Sequence, residues 1–568
     1  MKQKFLLLIV FLAPVLGAAA QSNNALSIFE GERIQAVNFR YADAPADTVR
    51  YVEWMRQVEN TFAIYPYTHY NGVMIAYYLA QVRQIPFVLS ATVDVTASAE
   101  NGVIVTLDVQ FGSAGGGTTT EGRKKRPVLP VLYSRGSSFL TLRASASQMA
   151  YSDGDAWFAQ PAPLLAGNPL VDGPAGKGYT GWVEGFGMAG LYGIVPVVKS
   201  FDLHLYGGVN YIVSFSAGRE LFTDRSRFHG GVEDAFVGVV GGGKTARGRA
   251  YSYNLLYGRK QFVLGNGWLI VNTAMNGEER AALQLNPRRA AKSLLQGGGK
   301  YGNWMLQYFR LEPDELPILD SHTILEGPNL EWSRNDRLQI GATVIHSPRS
   351  NVHYYQPDGT VLSRKGLWVY NLRFYGNTEA NRPGLFYKTE LGLQTNEHFP
   401  MRAWAGYAML GWNFARTYGQ PALSYRFAYF SGDNPDTRTF ERWDPLYTGG
   451  NGEQWVQGSN MYKVVQNSNE MTHLLQLVWA PYRRWQTVTQ LWAFFAPQTN
   501  NLGGNPGLST MKGHYYGTEV NLTAKYFLSR RWYFHLNTAL TFPGDAIRGV
   551  VPGTKPWFSL MAFVQYTW

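Results

Sequence analysis

Trp557-Phe558-Ser559-Leu560-Met561-Ala562-Phe563-Val564-Gln565-Tyr566-Thr567-Trp568 closes the chain and decides the fold. In steps of two, Phe558, Leu560, Ala562, Val564, Tyr566 and Trp568 make one apolar face. Trp557, Ser559, Met561, Phe563, Gln565 and Thr567 make a more mixed face. Period-two alternation predicts a strand with different surroundings on its two sides. An aromatic end places that strand at a membrane–water interface, where aromatic rings are favoured.

The other end of the chain agrees. Lys2 and Lys4 precede an apolar run from Phe5 to Leu16, and Ala18 and Ala20 form an A-x-A pattern. Residues 1–20 read as a secretory signal peptide, because the run is shorter than the roughly twenty residues of a helical span. No later segment supplies such a run. With no cysteine, a lipid anchor and a disulfide framework are both excluded. The chain is 45% apolar, 15% aromatic and only 16% charged, with 61 glycines. That balance suits aromatic girdles, a lipid-facing band and tight turns. A secreted all-β lectin or glycosidase shares the composition but gives no reason for the terminal strand.

The predicted fold is therefore an all-β transmembrane β-barrel of about 18 antiparallel strands, 16 being the other count the length allows. A small N-terminal α+β domain precedes it. Taking Lys2 and Lys4 from a formal net charge of +11 leaves +9. Such an excess suits anionic lipid headgroups or an anionic solute; a secreted barrel argues against nucleic acid.

Residues 28–112 have a different character. Glu32–Tyr41 suits a strand, and Asp47 can cap a helix in which Val49, Val52, Met55, Val58 and Phe62 recur at helical spacing. A second helix fits Asn71–Gln84, with Pro86 beyond it. Two alternating strands follow, Leu89–Ala97 and Val103–Phe111, joined by Glu100-Asn101-Gly102. The order is β-α-α-β-β. Residues 113–134 form a linker containing Gly115-Gly116-Gly117 and the cationic run Arg123-Lys124-Lys125-Arg126. The barrel is expected over 135–568.

Strand phase assigns lumen-facing residues. Val520, Leu522, Ala524 and Tyr526 face outward, so Glu519, Asn521, Thr523 and Lys525 face inward. The same alternation puts Arg373, Lys388, Glu390, Arg426 and His535 on the inner face. Residues 151–178, 272–298 and 432–470 read as long loops, either constrictions or a folded-in plug. Trp568 is the expected signal for the outer-membrane barrel assembly machinery. Outer-membrane lipid and lipopolysaccharide are expected to surround the barrel.

Two resemblances sharpen this reading. Tyr77 to Pro86, Val93-Asp94-Val95 and Val103 to Phe111 together resemble a POTRA domain. That implies a periplasmic module that docks a partner through a strand edge or groove. In the barrel, Tyr257 to Gly267 carries a Gly258-Arg259-Lys260-Gln261 strand. Pro421 to Asn434 ends in Ser431-Gly432-Asp433, with Phe440 and Tyr447 beyond. Gly517-Thr518-Glu519 opens the third stretch, which continues through Tyr526 and Trp532 to Leu536. These segments, spread over about 250–568, resemble the alginate export family of outer-membrane porins. Asn266 stands where that pattern has an acidic residue. The resemblance implies an 18-stranded barrel guiding an anionic polysaccharide, with export as its direction.

No cofactor, metal site or catalytic constellation is expected. None of His204, His229, His322, His346, His353, His398, His473, His514 and His535 shows H-E-x-x-H spacing, and no G-x-S-x-G occurs. Asp433 and Asp436 lack the spacing of a calcium loop and read as a turn. A protein translocation or assembly pore of the POTRA-barrel type, a general nutrient porin and a barrel-borne lectin are the competing readings. The first lacks its Val-Arg-Gly-Phe/Tyr lid motif here.

Overall fold

The computed structural model describes residues 34–42, 48–62, 64, 70, 75, 78–79, 81–97, 103–112, 131–135, 138–157, 178–198, 203–218, 225–247, 249–334, 338–356, 358–376, 383–414, 416–449, 455–482, 484–501, 510–528, 532–550 and 553–567. The predicted signal peptide, the turn at 100–102, the linker up to 130 and Trp568 lie outside the described residues.

The N-terminal region is a three-stranded sheet with one fully described helix. Strand β1 (Ile34–Ala42) precedes helix α1 (Thr48–Thr61), then β2 (Val88–Ala97) and β3 (Val103–Phe111). The sheet order is β1-β3-β2, with β1 parallel and β2 antiparallel to β3. Trp54, Val58 and Phe62 are the buried line of α1 and pack on Val105, Leu107 and Phe111. Val52, placed by the spacing on that line, is 51% exposed. The Trp54 indole occupies the face instead, stacking on Phe87 at 4.5 Å. Half of the second predicted helix lies outside the described residues; its end closes with Arg83 N–H donating to the Leu79 carbonyl at 3.1 Å. Tyr78 packs against both this core and the lumen cluster of the barrel.

The rest of the chain closes on itself. The ring runs through eighteen long strands, from Ser138–Gly154 to Trp557–Thr567, and these two pair antiparallel. A short strand, Val131–Arg135, continues the seam beside the first strand, beyond the reach of the last. Closure leaves no open edge, the condition for a sheet in hydrocarbon.

Burial alternates as the sequence predicts. Phe558 and Leu560 are exposed, while Trp557 and Ser559 are buried. Around the ring, Leu330, Leu372, Leu391, Leu410, Leu475, Leu491, Leu522 and Leu536 form an exposed apolar band. In water such a surface would drive association; in a bilayer it is the contact with lipid. No described helix is long and apolar enough to cross a membrane. Aromatic rings cover glycines on neighbouring strands: a Cβ at Gly208 or Gly411 would run into Tyr192 or Phe386.

Connections differ sharply between the two ends. One end carries short turns, such as Gly302-Asn303, where Gly302 adopts φ +56. The other carries the long loops, including 262–289 and 431–469. The sequence reading extends the first of these to 298, but a strand already begins at Ala290. Gly297-Gly298-Gly299 lies inside that strand, where a Cβ at Gly298 would press on the Leu306 carbonyl.

Candidate functional site: the barrel lumen

Two long loops turn back into the barrel. Loop 262–289 enters through Gly265 and Gly267, both at positive φ. Asn266 Nδ2 then donates to the Tyr407 hydroxyl at 2.7 Å, and its Oδ1 accepts the Trp268 N–H at 3.1 Å. Tyr407 belongs to Ala403–Asn413, far round the ring from the strand that feeds the loop. The loop therefore crosses the lumen. Trp268 stacks on Trp443 of the second loop, ring centroids 5.7 Å apart. The loops also pair by backbone: Val271 N–H donates to the Tyr447 carbonyl at 3.0 Å, and Tyr447 N–H to the Leu269 carbonyl at 3.2 Å. Trp268, Trp443 and Trp455 are buried together at this meeting point.

Wall carboxylates hold both loops. Glu184 accepts the N–H groups of Gln284 and Leu285, at 3.0 and 2.9 Å. Glu233 accepts those of Arg289 and Ala290, at 2.6 and 2.7 Å. Glu519 accepts those of Asn460 and Met461 at 3.1 and 2.9 Å, and that of Ser459.

The residues chosen by strand phase all lie on inner-face positions, but in four settings. Arg373 and Glu390 share one buried network. Arg373 donates to Thr343 at 2.7 Å, Asn371 at 2.9 Å and Glu331 at 3.0 Å, and also to Asn329. Glu390 accepts from Asn371 at 3.2 Å, from Tyr407 at 3.0 Å and from Tyr375. Arg426 and Glu519 meet the second loop: the Arg426 guanidinium lies 4.4 Å over Trp455 and 5.2 Å over Trp492. Lys388, Lys525 and His535 sit toward the short-turn end, His535 at 2.9 Å from the Tyr533 hydroxyl. Asn521 is buried beside Gln490.

The motif residues are structural joints. Gly258 has φ +137, and a Cβ would overlap the Ala235 carbonyl. Arg259 reaches Asp314 at 2.7 Å, where Arg280 of the first loop joins it at 3.2 Å. Gln261 ends its strand opposite Ala290. Ser431 Oγ accepts the Trp404 N–H at 3.0 Å and donates to the Glu441 carbonyl at 2.5 Å. A Cβ on Gly432 would run into Asn469, at the other end of the same loop. Asp433 accepts the Glu441 N–H at 2.8 Å, and burial pushes its carboxyl up to about 6.

Farther along, Arg364 from loop 350–366 binds Asp444 through two nitrogens, at 2.6 and 2.8 Å, and the Tyr354 hydroxyl adds a third bond at 2.6 Å. Burial pushes the Asp444 carboxyl up, but Arg364 and these bonds outweigh it and hold it below the usual range. On the outer rim, Glu312, Asp320 and His322 stand close together. The Lys292 ammonium already fills the place of a cation there, 2.9 Å from Glu312 and 3.5 Å from Asp320.

Sequence reasoning missed Glu184, Glu233, Trp268, Arg364 and Asp444. Their partners lie far away in sequence, and no local spacing marks them.

A barrel with a lipid-facing belt and loops drawn into its lumen is the architecture of a channel. The chain matches the model of the alginate export family over residues 225–556, more than half its length. The chain belongs to the alginate export family. All three stretches quoted from the barrel sequence lie inside the matched segment. As an alginate export family barrel it is an outer-membrane channel for polysaccharide, and not an enzyme. Among solved structures it is similar to Pseudomonas aeruginosa OccK5 (OpdH), at 9% identity and a TM-score of 0.43, over 75% of this chain and 97% of that one. A comparison with curated proteins found no match.

Proposed function

We propose that this channel carries an anionic, polyuronate-like polysaccharide outward, and that residues 28–112 lie in the periplasm and dock a partner. The observation that carries the reading is a set of inner-face lysines near the short-turn end. Lys300 shares the inner phase of Gln296, which pairs with buried Leu256, and Lys388 and Lys525 hold the matching phase on their strands. Short turns face the periplasm in barrels of this class, so these cations stand where an exported polymer would enter. Cations in a narrow, poorly screened mouth lower the barrier for a polyanion.

The sheet of the N-terminal region supports docking. Strands β1 and β2 are its edges, each with one unpaired side among the described residues, and an open edge is a template for a partner strand. Assembly through the outer-membrane machinery, and contact with lipopolysaccharide, belong to the same reading. One observation favours a second role: Tyr78 packs on the lumen cluster, as a plug would.

Planar-bilayer conductance tests both, with and without residues 28–112, adding a polyuronate to either side. Anion-selective current blocked by polyuronate supports the exporter. Current that starts only on removing the domain makes it a plug. Cation-selective current indifferent to polyuronate overturns the anionic reading.

A further inference from the structure

Glu184, Glu233 and Glu519 share a pattern that barrel closure does not require. Each sits on the inner face of a wall strand: Tyr179–Val198, Arg227–Lys244 and Tyr515–Phe527 respectively. Each is buried, Glu184 and Glu519 completely. Each points its carboxylate at consecutive backbone N–H groups of an inward loop or of its junction with the next strand. Glu184 takes a further bond from Trp182 Nε1 at 2.8 Å, and Glu519 one from Thr541 Oγ1 at 2.9 Å. Those two bonds come from the wall itself and orient the carboxylates independently of the loops.

We propose that these three glutamates are positioning residues that set the bore of the channel by holding its two inward loops in the lumen. A loop without regular structure leaves N–H groups to be satisfied, and a buried one left bare costs about 1–3 kcal/mol. An ionised acceptor makes the stronger bond and fixes direction. Because the donors are backbone atoms, the wall residue specifies where the loop lies, largely independent of loop side chains.

The first loop also carries strain that the anchor must hold. Ala281, Ala282 and Asn286 all adopt positive φ, at +55°, +49° and +48°. They flank Gln284 and Leu285, the groups bound by Glu184. Non-glycine residues stay in that region only where their surroundings over-determine it. Ser216 Oγ adds to the hold, accepting the Ala282 N–H at 2.8 Å. Loss of the carboxylate would free both the N–H groups and the strain, and the loop would leave the lumen. Backbone ladders pair Glu184 and Glu519 on both sides without their side chains, so the barrel persists in those variants while the bore changes. The inference rests on the channel reading and not on the charge of the solute.

Glu184→Gln, Glu519→Gln and the double variant test it. An amide keeps one accepting oxygen and turns an N–H donor toward the loop's donors. Folded state is checked by heat-modifiable gel mobility. In planar bilayers each variant should conduct more than the parent and admit larger neutral polymers, with the double variant highest. Folded variants with unchanged conductance and polymer cut-off would overturn the proposal. A second measurement needs no current. The chain has no cysteine and Met461 is fully buried. A thiol probe should therefore leave Met461→Cys unlabelled in the parent. With Glu519→Gln added, labelling should rise about tenfold or more, as expected for lost bonds to a charged acceptor. Equal labelling in the two backgrounds would overturn the proposal even if the parent proved electrically silent.

Discussion

Arg364 and Asp444 face each other as a two-bond pair, at 2.6 and 2.8 Å, joining loop 350–366 to loop 431–469. Both side chains are buried. Removing one partner strands the other charge, which costs about 3–5 kcal/mol in buried pairs. Arg364→Ala should speed hydrogen exchange across 431–449 while the wall strands keep their protection. Arg364→Lys should recover only part, because an ammonium cannot match both carboxylate oxygens.

Gly258 predicts a backbone effect. Its φ of +137 suits glycine alone, and a side chain would meet the Ala235 carbonyl. Gly258→Val should destabilise the barrel by about 1–3 kcal/mol or more, and Gly258→Ala less. Urea midpoints of the refolded protein in detergent micelles read the difference.

Asp433 predicts a pH dependence at the root of the second loop. Burial raises its carboxyl to about 6, above the unfolded value of 3.8. The folded loop thus holds the proton more tightly than the unfolded chain. Its contribution is full below about 4 and is lost as pH rises through about 6. Protection of 431–449 against exchange should fall between those pH values. Asp433→Asn should flatten that dependence; a profile unchanged by the substitution would remove Asp433 as its source.

Lumen cations should divide into two kinds. Lys388→Gln and Lys525→Gln should shift the reversal potential toward cations. Arg373→Gln should act mainly on stability, because it leaves Glu331 and Glu390 uncompensated in a closed network. Equal reversal-potential shifts from Arg373→Gln and Lys388→Gln would contradict this division.

The wall of the barrel was readable because each strand carries its own instruction. Val520 and Leu522 outward, with Glu519 and Asn521 inward, is a local pattern that needs no knowledge of neighbours. The N-terminal β1, α1, β2 and β3 were readable for the same reason. Phase says which way Glu519 points, but not that three backbone donors from around residue 460 will meet it. Glu184 and Leu285 are 101 positions apart, and a carboxylate that binds backbone leaves no partner side chain to recognise. Residues 290–298, read as the end of a long loop, are strand, and a Cβ at Gly298 would press on the Leu306 carbonyl of the neighbouring strand. At Val52, helical spacing was right in period and wrong in which residue held the face.

Ser147 Oγ donates to the Val564 carbonyl at 3.0 Å, across a sequence separation of 417 residues, and Trp557 Nε1 donates to Asp153 across 404. The first long strand of the wall therefore has one neighbour that arrives after every other wall strand. Contacts this remote close slowly, because loop entropy must be overcome before they form. Until then Ser138–Gly154 has a bare edge open to any passing strand. Biogenesis thus depends on a waiting period during which the opening strand is kept apart from other partners, and a chain cut short before Trp557 would never leave it.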